Sequence, residues 1–514
     1  MKWVKKSFAE TIEEVIAENF NKPIEDIDKF PTNTHKYSVE VAKRLEEIAK
    51  EGKSVFIVGD YDADGVTSCV ELSLILDELG IDYKVYIPKR FTDGYGINQN
   101  ILSKIDGDVL ITVDNGTACG LDFGMETIII DHHLPSDKLP EGLIYNPHVN
   151  NEDFKDFCAA GLVYKISKNL PISKKTKDFI EILACIGTIA DVMPLVNENR
   201  AIVKKGIKLI KTYYEEMSEI LMCLPESFNA QDIAFKVAPL INASGRMNDD
   251  GGQIAYETLY KLFKGNDTTL KELAKVNKER KELQEKFFKI ADDSYNGMCP
   301  IIVKLDDCPE GIVGIIAGKL TEKYGYPSFV FTDNKDKTFL KGSARGVADF
   351  NVKEFLDGYK DLFIKYGGHV GAAGFSMDYE NYEKFKECER RGEEPVLYYD
   401  IDLGNINEII IKNLVRALNH YEPFGEGNPR PKFKITADVD STKYIGTNGI
   451  KLYCDGNFTA ISFTERDNLE HATKVDIIGE LSLNNFNNII TPQVDIIDYK
   501  VIEETKEFIP EFMR

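Results

Sequence analysis

One stretch limits what this chain can fold into more than any other: Ser54-Val55-Phe56-Ile57-Val58-Gly59-Asp60-Tyr61-Asp62-Ala63-Asp64-Gly65. Its unbroken apolar run reads as a strand buried on both faces, one strand of a parallel sheet. The run stops abruptly in three aspartates at alternate positions and a glycine. In open parallel sheets the carboxyl ends of the strands line the ligand crevice, so the acids are expected there. Three carboxylates this close disfavour one another's charge unless a cation neutralises them. Their hard oxygen donors suit Mg²⁺, Mn²⁺ or Ca²⁺.

Asp60, Asp62, Asp64, Gly65 and Glu71 also satisfy the EF-hand spacing D-x-D-x-D-G-x5-E. That motif needs a helix ahead of its loop. Here a β-branched strand precedes it, and Thr67 stands where an aliphatic anchor belongs. The sheet reading requires further ligands at later strand ends. Val109–Val113 ends in Asp114-Asn115-Gly116, and Thr127–Ile130 in Asp131-His132-His133. Ile182–Ile189, apolar at helical spacing, runs into Ala190-Asp191 ahead of Pro194. An acid between apolar stretches is costly to bury unless paired or liganded, which makes Asp191 a candidate; the alternative is a solvated acid at a helix end. A single Asp-rich strand end is an ordinary turn. Three in succession, with two histidines, point to a metal.

At 514 residues the chain exceeds a single core, and three or four domains are expected. Nine cysteines without C-x-x-C spacing argue against a disulfide framework and a zinc ribbon, and for a reducing compartment. The basic start Met1-Lys2-Trp3-Val4-Lys5-Lys6 leads into Glu10, Glu13 and Glu14 rather than an apolar segment, and no run reaches membrane-spanning length. A cytoplasmic location is expected. The net charge of −22 lowers the expectation of polyanion binding but leaves room for a local basic groove.

Residues 8 to 50 read as polar helices, with Phe8, Ile12, Val15 and Ile16 spaced for one face. From 54 to about 195 strands and helices alternate, the pattern of a parallel α/β sheet. A long helix follows over 268–295, with Leu270, Leu273, Val276, Leu283, Phe287 and Ile290 at helical spacing. Lys271, Lys275, Lys278, Arg280, Lys281 and Lys286 lie on its polar face. A second α/β unit opens with a strand at Ile301–Lys304, a helix at Val313–Lys323 and a strand at Ser328–Phe331. Beyond 400 come five short strands: 433–439, 450–453, 458–463, 475–479 and 489–494. They suit an OB-type barrel. Lys412, Arg416, Arg430, Lys432 and Lys434 accompany Tyr421 and Phe424 there, a mixture fit for phosphate contacts and base stacking. A purely structural barrel is the alternative.

Taken together, Asp60-x-Asp62-x-Asp64-Gly65, Asp114-Asn115-Gly116, Asp131-His132-His133 and Ala190-Asp191 resemble the DHH phosphoesterase superfamily. Pro239-Leu240-Ile241-Asn242-Ala243-Ser244-Gly245-Arg246-Met247 is similar to a segment of the RecJ exonucleases. Gly342-Ser343-Ala344-Arg345-Gly346 and Gly367-Gly368-His369 are similar to the DHHA1 domain, and Tyr421–Pro429 to the start of that family's OB-type domain. The resemblance runs from about 54 to 435. It implies an N-terminal helical segment at 1–50, a DHH domain at 51–250, a connecting helix at 251–298, a DHHA1 domain at 299–395 and an OB-type domain at 396–514. Leu240 departs from the pattern, which usually has arginine there. The chain ends soon after the OB-like region, so a further C-terminal domain found in some relatives is expected to be absent.

The chemistry read from these residues is two-metal phosphodiester hydrolysis by Mn²⁺ or Mg²⁺. Asp114 is expected to bridge the ions, with Asp60 and Asp62 completing one shell and Asp64, His132 and Asp191 the other. A histidine among the carboxylates favours Mn²⁺. His133 is expected to face the phosphate, and Asp131 counts with Asp114 and His133 among the catalytic residues. By resemblance, Arg246, Asn242, Ser343, Arg345, His369 and Gly368 are expected to bind substrate. The resemblance further implies degradation of single-stranded DNA from the 5′ end to mononucleotides in repair and recombination, with a helicase and a single-strand binding protein as partners. Alternatives are a small-substrate phosphodiesterase acting on very short RNA or cyclic dinucleotides, and a helicase-associated scaffold without activity.

Overall fold

The computed structural model describes residues 1–504 apart from 30–34, 95, 267, 348–349, 447–448, 455, 464–467 and 487–488. The chain forms two compact units, 31–395 and a second one made of 1–30 with 396–514.

The larger unit begins with α1 (Lys36–Glu51) and a five-stranded sheet of β1 (Val55–Val58), β2 (Tyr83–Tyr86), β3 (Val109–Val113), β4 (Glu126–Ile130) and β5 (Leu143–Tyr145). All its pairings are parallel, in the order β2-β1-β3-β4-β5. β1 and β3 are buried along their whole length, as their unbroken Val and Ile runs demand. In this order the connections reverse direction between β1 and β3, which opens a crevice at their carboxyl ends. α2 (Ala63–Leu79) follows β1 directly, capped at its start by Asp62 and closed by Gly80 in the left-handed conformation. Glycine is obligatory at position 65, because a Cβ there would lie 2.6 Å from the Asp60 backbone nitrogen. This tight return replaces the EF-hand reading: Asp64 and Glu71 both lie within α2.

α3 (Ala159–Ser167), α4 (Lys174–Ala190) and α5 (Asn197–Thr212) pack with α2 and the sheet in one apolar core. α6 (Ala238–Met247) carries the Asn242–Met247 segment, and α7 (Gly251–Phe263) leads to α8 (Lys271–Asp293), the long helix. Leu240, where the family pattern usually has arginine, is buried in the core and contributes packing. Along α8, Leu273 and Phe287 are buried but Ile290 is exposed. Arg280, expected on the solvated face, is buried between Asn277 and Gln284. Beyond it, β6 (Ile301–Leu305), α9 (Glu310–Tyr324), β7 (Ser328–Asp333), β8 (Leu340–Arg345), β9 (Phe363–Gly368) and β10 (Ala372–Met377) form a sheet in the order β9-β10-β8-β7-β6. Only β6 and β7 pair in parallel.

The smaller unit holds a closed barrel of five strands, 433–445, 449–454, 458–462, 489–504 and 472–486, the last pairing back onto the first. Its long hairpin of Ala472–Phe486 and Ile489–Glu504 exceeds the short strands expected. Residues 1–30 belong here. A strand at Lys2–Lys5 pairs in parallel with Val396–Tyr399, and Trp3 Nε1 donates to Asp498 Oδ2 at 2.7 Å. The helix Ile12–Phe20 buries Ile12, Val15 and Ile16, but Phe8, placed by spacing on that face, is 99% exposed ahead of the Thr11 cap. The segment 1–50, expected as one piece, is therefore divided: 1–30 joins the barrel unit and α1 the sheet.

Candidate metal centre and phosphate site

β1, β3 and β4 end side by side and deliver their polar residues into the crevice at the reversal point. Asp62 uses Oδ1 to accept the Asp64 and Gly65 amides, both at 3.1 Å, as the cap of α2. Asp60 accepts from the Tyr61 amide at 2.7 Å. Asp114 stands at the end of β3 with φ +60, a left-handed conformation that aspartate tolerates better than most side chains. Asp64 is gripped by the first amides of α3, Ala159 N to Oδ2 at 2.7 Å and Ala160 N to Oδ1 at 2.9 Å. Asp191 closes α4.

His132 Nε2 sits among these acids, 3.2 Å from Asp114 Oδ1, 3.6 Å from Asp191 Oδ2 and 3.9 Å from Asp64 Oδ2. Three overlapping triads result, Asp60/Asp62/Asp114, Asp64/His132/Asp191 and Asp114/His132/His133, each with donor atoms within 4.8 Å of one another. Burial and mutual repulsion push the carboxyls of Asp60, Asp64, Asp114 and Asp191 above the usual carboxylate range. Asp114 Oδ1 and Asp191 Oδ2 are buried without a hydrogen-bond partner among the described residues. Such an arrangement is costly unless a cation completes it. Burial and the neighbouring His133 lower the His132 pKa to about 3, keeping the ring neutral as a ligand must be.

Asp131 differs from the expectation that grouped it with Asp114. It is fully buried beneath the histidines, where Oδ1 accepts from the amides of His132 and His133 and from His133 Nδ1 at 2.8 Å. Oδ2 accepts from Thr117 N and Oγ1. Burial opposes its charge, but these bonds outweigh it and hold the carboxyl below the usual range. Burial also opposes charge on His133, yet Asp131, Asp191 and Asp60 carry its pKa up to about 9. Asp131 thus braces His133 and lies outside the three triads. Asn146 completes the support, its Nδ2 donating to Thr117 Oγ1 at 3.1 Å and His133 O at 2.9 Å.

A cationic group adjoins the acids. Arg246 is largely buried. Burial, Arg90, Arg345 and Arg280 bring its pKa down to about 10, against the pull of Asp62. Arg345 Nη1 donates to Ser343 Oγ at 3.0 Å. A Cβ on Gly314 would lie 3.0 Å from Arg345 Nη2, so the glycine leaves the guanidinium its place along α9. Arg280 bonds only neutral amides among the described residues, Asn277 at 3.1 Å and Gln284 at 2.7 Å. Among the described residues these arginines form no ion pair with a carboxylate, and such crowding suits an anion.

Two of these arginines escaped the sequence reading. Arg90 lies 4.9 Å over the Tyr61 ring on the loop after β2. The rule that found the acids applies to β2 as well, and Lys89-Arg90 was its signal. Arg280 carried no signal, since helical spacing does not reveal which polar residue faces a neighbour. Other expected substrate contacts lie differently. Asn242 Oδ1 accepts the Ala63 amide at 2.9 Å, bracing the start of α2. Gly368 is explained by hairpin packing, a Cβ there falling 2.3 Å from Ala372 O. The His369 ring is exposed at the tip between β9 and β10 and is not brought to the arginines by any described bond.

Residues 54–188 match the DHH family, N-terminal domain; 298–388 the DHHA1 domain; and 401–498 the RecJ OB domain. The chain is 28% identical to the single-stranded-DNA-specific exonuclease RecJ of Bacillus subtilis (strain 168), over 93% of this chain and 65% of that protein. The RecJ of Thermus thermophilus is 29% identical over 90% of this chain and 70% of its own. The chain thus spans about two thirds of the length of these relatives. Among solved structures, T. thermophilus RecJ in complex with Mn²⁺ superposes with a TM-score of 0.76 at 26% identity, covering 98% of this chain and 80% of that one. An exonuclease RecJ bound to manganese gives 0.58 at 29% identity, covering 70% and 94%.

Proposed function

We propose, from the premise that the chain belongs to the RecJ family of DHH proteins, that it is a metal-dependent exonuclease degrading single-stranded DNA from the 5′ end to mononucleotides. The observation that carries the reading is the convergence of Asp60, Asp62, Asp64, Asp114, His132 and Asp191 at one crevice, with orphaned buried oxygens on Asp114 and Asp191. The donor set fits two divalent cations, Mn²⁺ or Mg²⁺. Asp60 and Asp62 would hold one ion, Asp64, His132 and Asp191 the other, with Asp114 shared between them. Bound ions would supply Lewis-acid charge and a water nucleophile at neutral pH.

The protein's own residues supply the rest. His133, held at Nδ1 by Asp131, is oriented to offer Nε2 to a phosphate oxygen. Arg246 and Arg345, with Ser343, Arg90 and Arg280 around them, hold a terminal or scissile phosphate beside the acids. The barrel unit binds longer single strands, and the segments correspond to catalytic, connecting, DHHA1 and OB-type domains. Its setting is DNA repair and recombination in the cytoplasm, with a helicase and a single-strand binding protein as partners. No helix among the described residues is long and apolar enough to cross a membrane.

Single-stranded DNA labelled at either end, incubated with Mn²⁺ or EDTA, tests this. Metal-dependent release of mononucleotides, the 5′ label first, is expected. Activity confined to dinucleotides or cyclic dinucleotides would move the protein to the small-substrate class. Asp114→Ala is expected to abolish turnover while circular dichroism stays unchanged; retained cleavage would remove Asp114 from its bridging role.

A further inference from the structure

One buried amide ties together the segment whose amides grip Asp64 and the turn that follows Asp191. Asp64 is held by the amides of Ala159 and Ala160, and Asp191 ends α4 just before Val192, whose φ is +55. Neither position is set by a regular element alone. The first depends on the segment leading into α3, the second on the turn leaving α4.

Asn199, completely buried near the start of α5, donates from Nδ2 to both segments: to Asp156 O at 2.5 Å and to Pro194 O at 3.1 Å. Asp156 lies three residues before Ala159, and Pro194 three residues after Asp191. The contact between Cys158 Sγ and Thr188 Oγ1, at 3.6 Å, is a weaker link between the same elements. Asn199 Oδ1 has no partner among the described residues although it is buried, so the amide is kept despite an unpaired acceptor. An apolar side chain would avoid that cost, so the donor bonds of the amide offset an unpaired acceptor.

We infer that Asn199 is a positioning residue for the Asp64/His132/Asp191 half of the centre, fixing the separation of Asp64 from Asp191 by clamping the segment whose amides grip Asp64 to the turn that follows Asp191. His132 is held independently, through Asp131 and β4. Asp60 is held by the Tyr61 amide and Asp62 by the first amides of α2, none of which Asn199 touches. The effect of Asn199 is therefore confined to one of the two ion positions. The inference rests on the two-ion reading.

The test is Mn²⁺ titration of the full chain by calorimetry, with free Mn²⁺ counted by electron paramagnetic resonance. The wild type is expected to bind two ions. Asn199→Asp, nearly isosteric, sets a carboxylate oxygen against two carbonyls and is expected to bind one ion normally and the other about 10–100-fold more weakly, the range seen for supporting residues. In an Asp191→Ala background Asn199→Asp should add no further loss, whereas in Asp60→Ala its effect should persist. Asn199→Ala deletes the donor without adding charge and gives the same readout if Asn199→Asp fails to fold. Two normal affinities in a folded but less stable variant would overturn the inference and leave the metal reading intact. A wild type that binds no Mn²⁺ would overturn the metal reading itself.

Discussion

At residue scale the least comfortable group is Glu71. Its side chain is fully buried in α2, and neither carboxyl oxygen has a hydrogen-bond partner among the described residues. Burial, with some repulsion from Asp64, raises its pKa well above the usual range, so the folded protein holds it neutral. An unfolded chain releases that proton near the ordinary glutamate pKa. Folding stability is therefore lost as pH rises above that value, by about 1.4 kcal/mol per pH unit until the folded pKa is reached. Glu71→Met removes the group at similar volume. It should gain stability over wild type at pH 8 and lose most of that advantage at pH 5. Urea unfolding at both pH values in EDTA measures the difference, and an equal gain at both would contradict a buried neutral acid. The same physics separates Glu71 from its neighbours. Asp60, Asp64 and Asp114 are buried as Glu71 is, and Asp191 is partly so, but these acids share a crevice with one another and with His132, where a cation can replace the lost water.

At the scale of elements, the crevice is read most readily from β1, β3 and β4. Unbroken apolar runs with acids at their ends identified both the sheet and most of the candidate ligands. β2 was harder, because its residues are only half-buried and its end is basic. The loop that follows it is pinned from outside: Asp249 accepts from the amides of Phe91, at 2.9 Å, and Thr92, at 3.3 Å, and from the Thr92 hydroxyl. Asp249→Ala should loosen Arg90 without touching the acids. The expected outcome is a KM for single-stranded DNA raised about tenfold, some 1.4 kcal/mol, with kcat little changed. An unchanged KM would exclude this loop from substrate contact. Arg280 shows the opposite limit of sequence reading. Its spacing on α8 is that of a solvated face, and only the packing against α6 and α9 decides that it is buried. The strand Lys2–Lys5 was invisible for a different reason: four residues carry too little periodicity, and their partner lies hundreds of positions away.

For the whole molecule, the division into units predicts which truncations are clean. Removing 396–514 alone would strip Val396–Tyr399 from Lys2–Lys5 and leave Ile12, Val15 and Ile16 uncovered. Removing 1–30 together with 396–514 should leave a well-behaved unit that still hydrolyses very short oligonucleotides but binds long single strands more weakly. Gel-shift and cleavage assays on substrates of increasing length would measure this, and equal loss on all lengths would contradict the division of labour.

The parallel pairing of Lys2 with Val396 also sets an order of events during synthesis. The first strand leaves the ribosome 394 residues before its partner, counting from position 2 to position 396. At roughly 5–20 residues per second this is a delay of about 20–80 s. Throughout that interval the larger unit, made entirely of intervening sequence, is free to fold. The amphipathic helix Ile12–Phe20, in contrast, waits with its apolar face exposed. Residues Lys2–Lys5 are therefore made long before the strand Val396–Tyr399 that they pair with, and they find their place only after the larger unit has been synthesised.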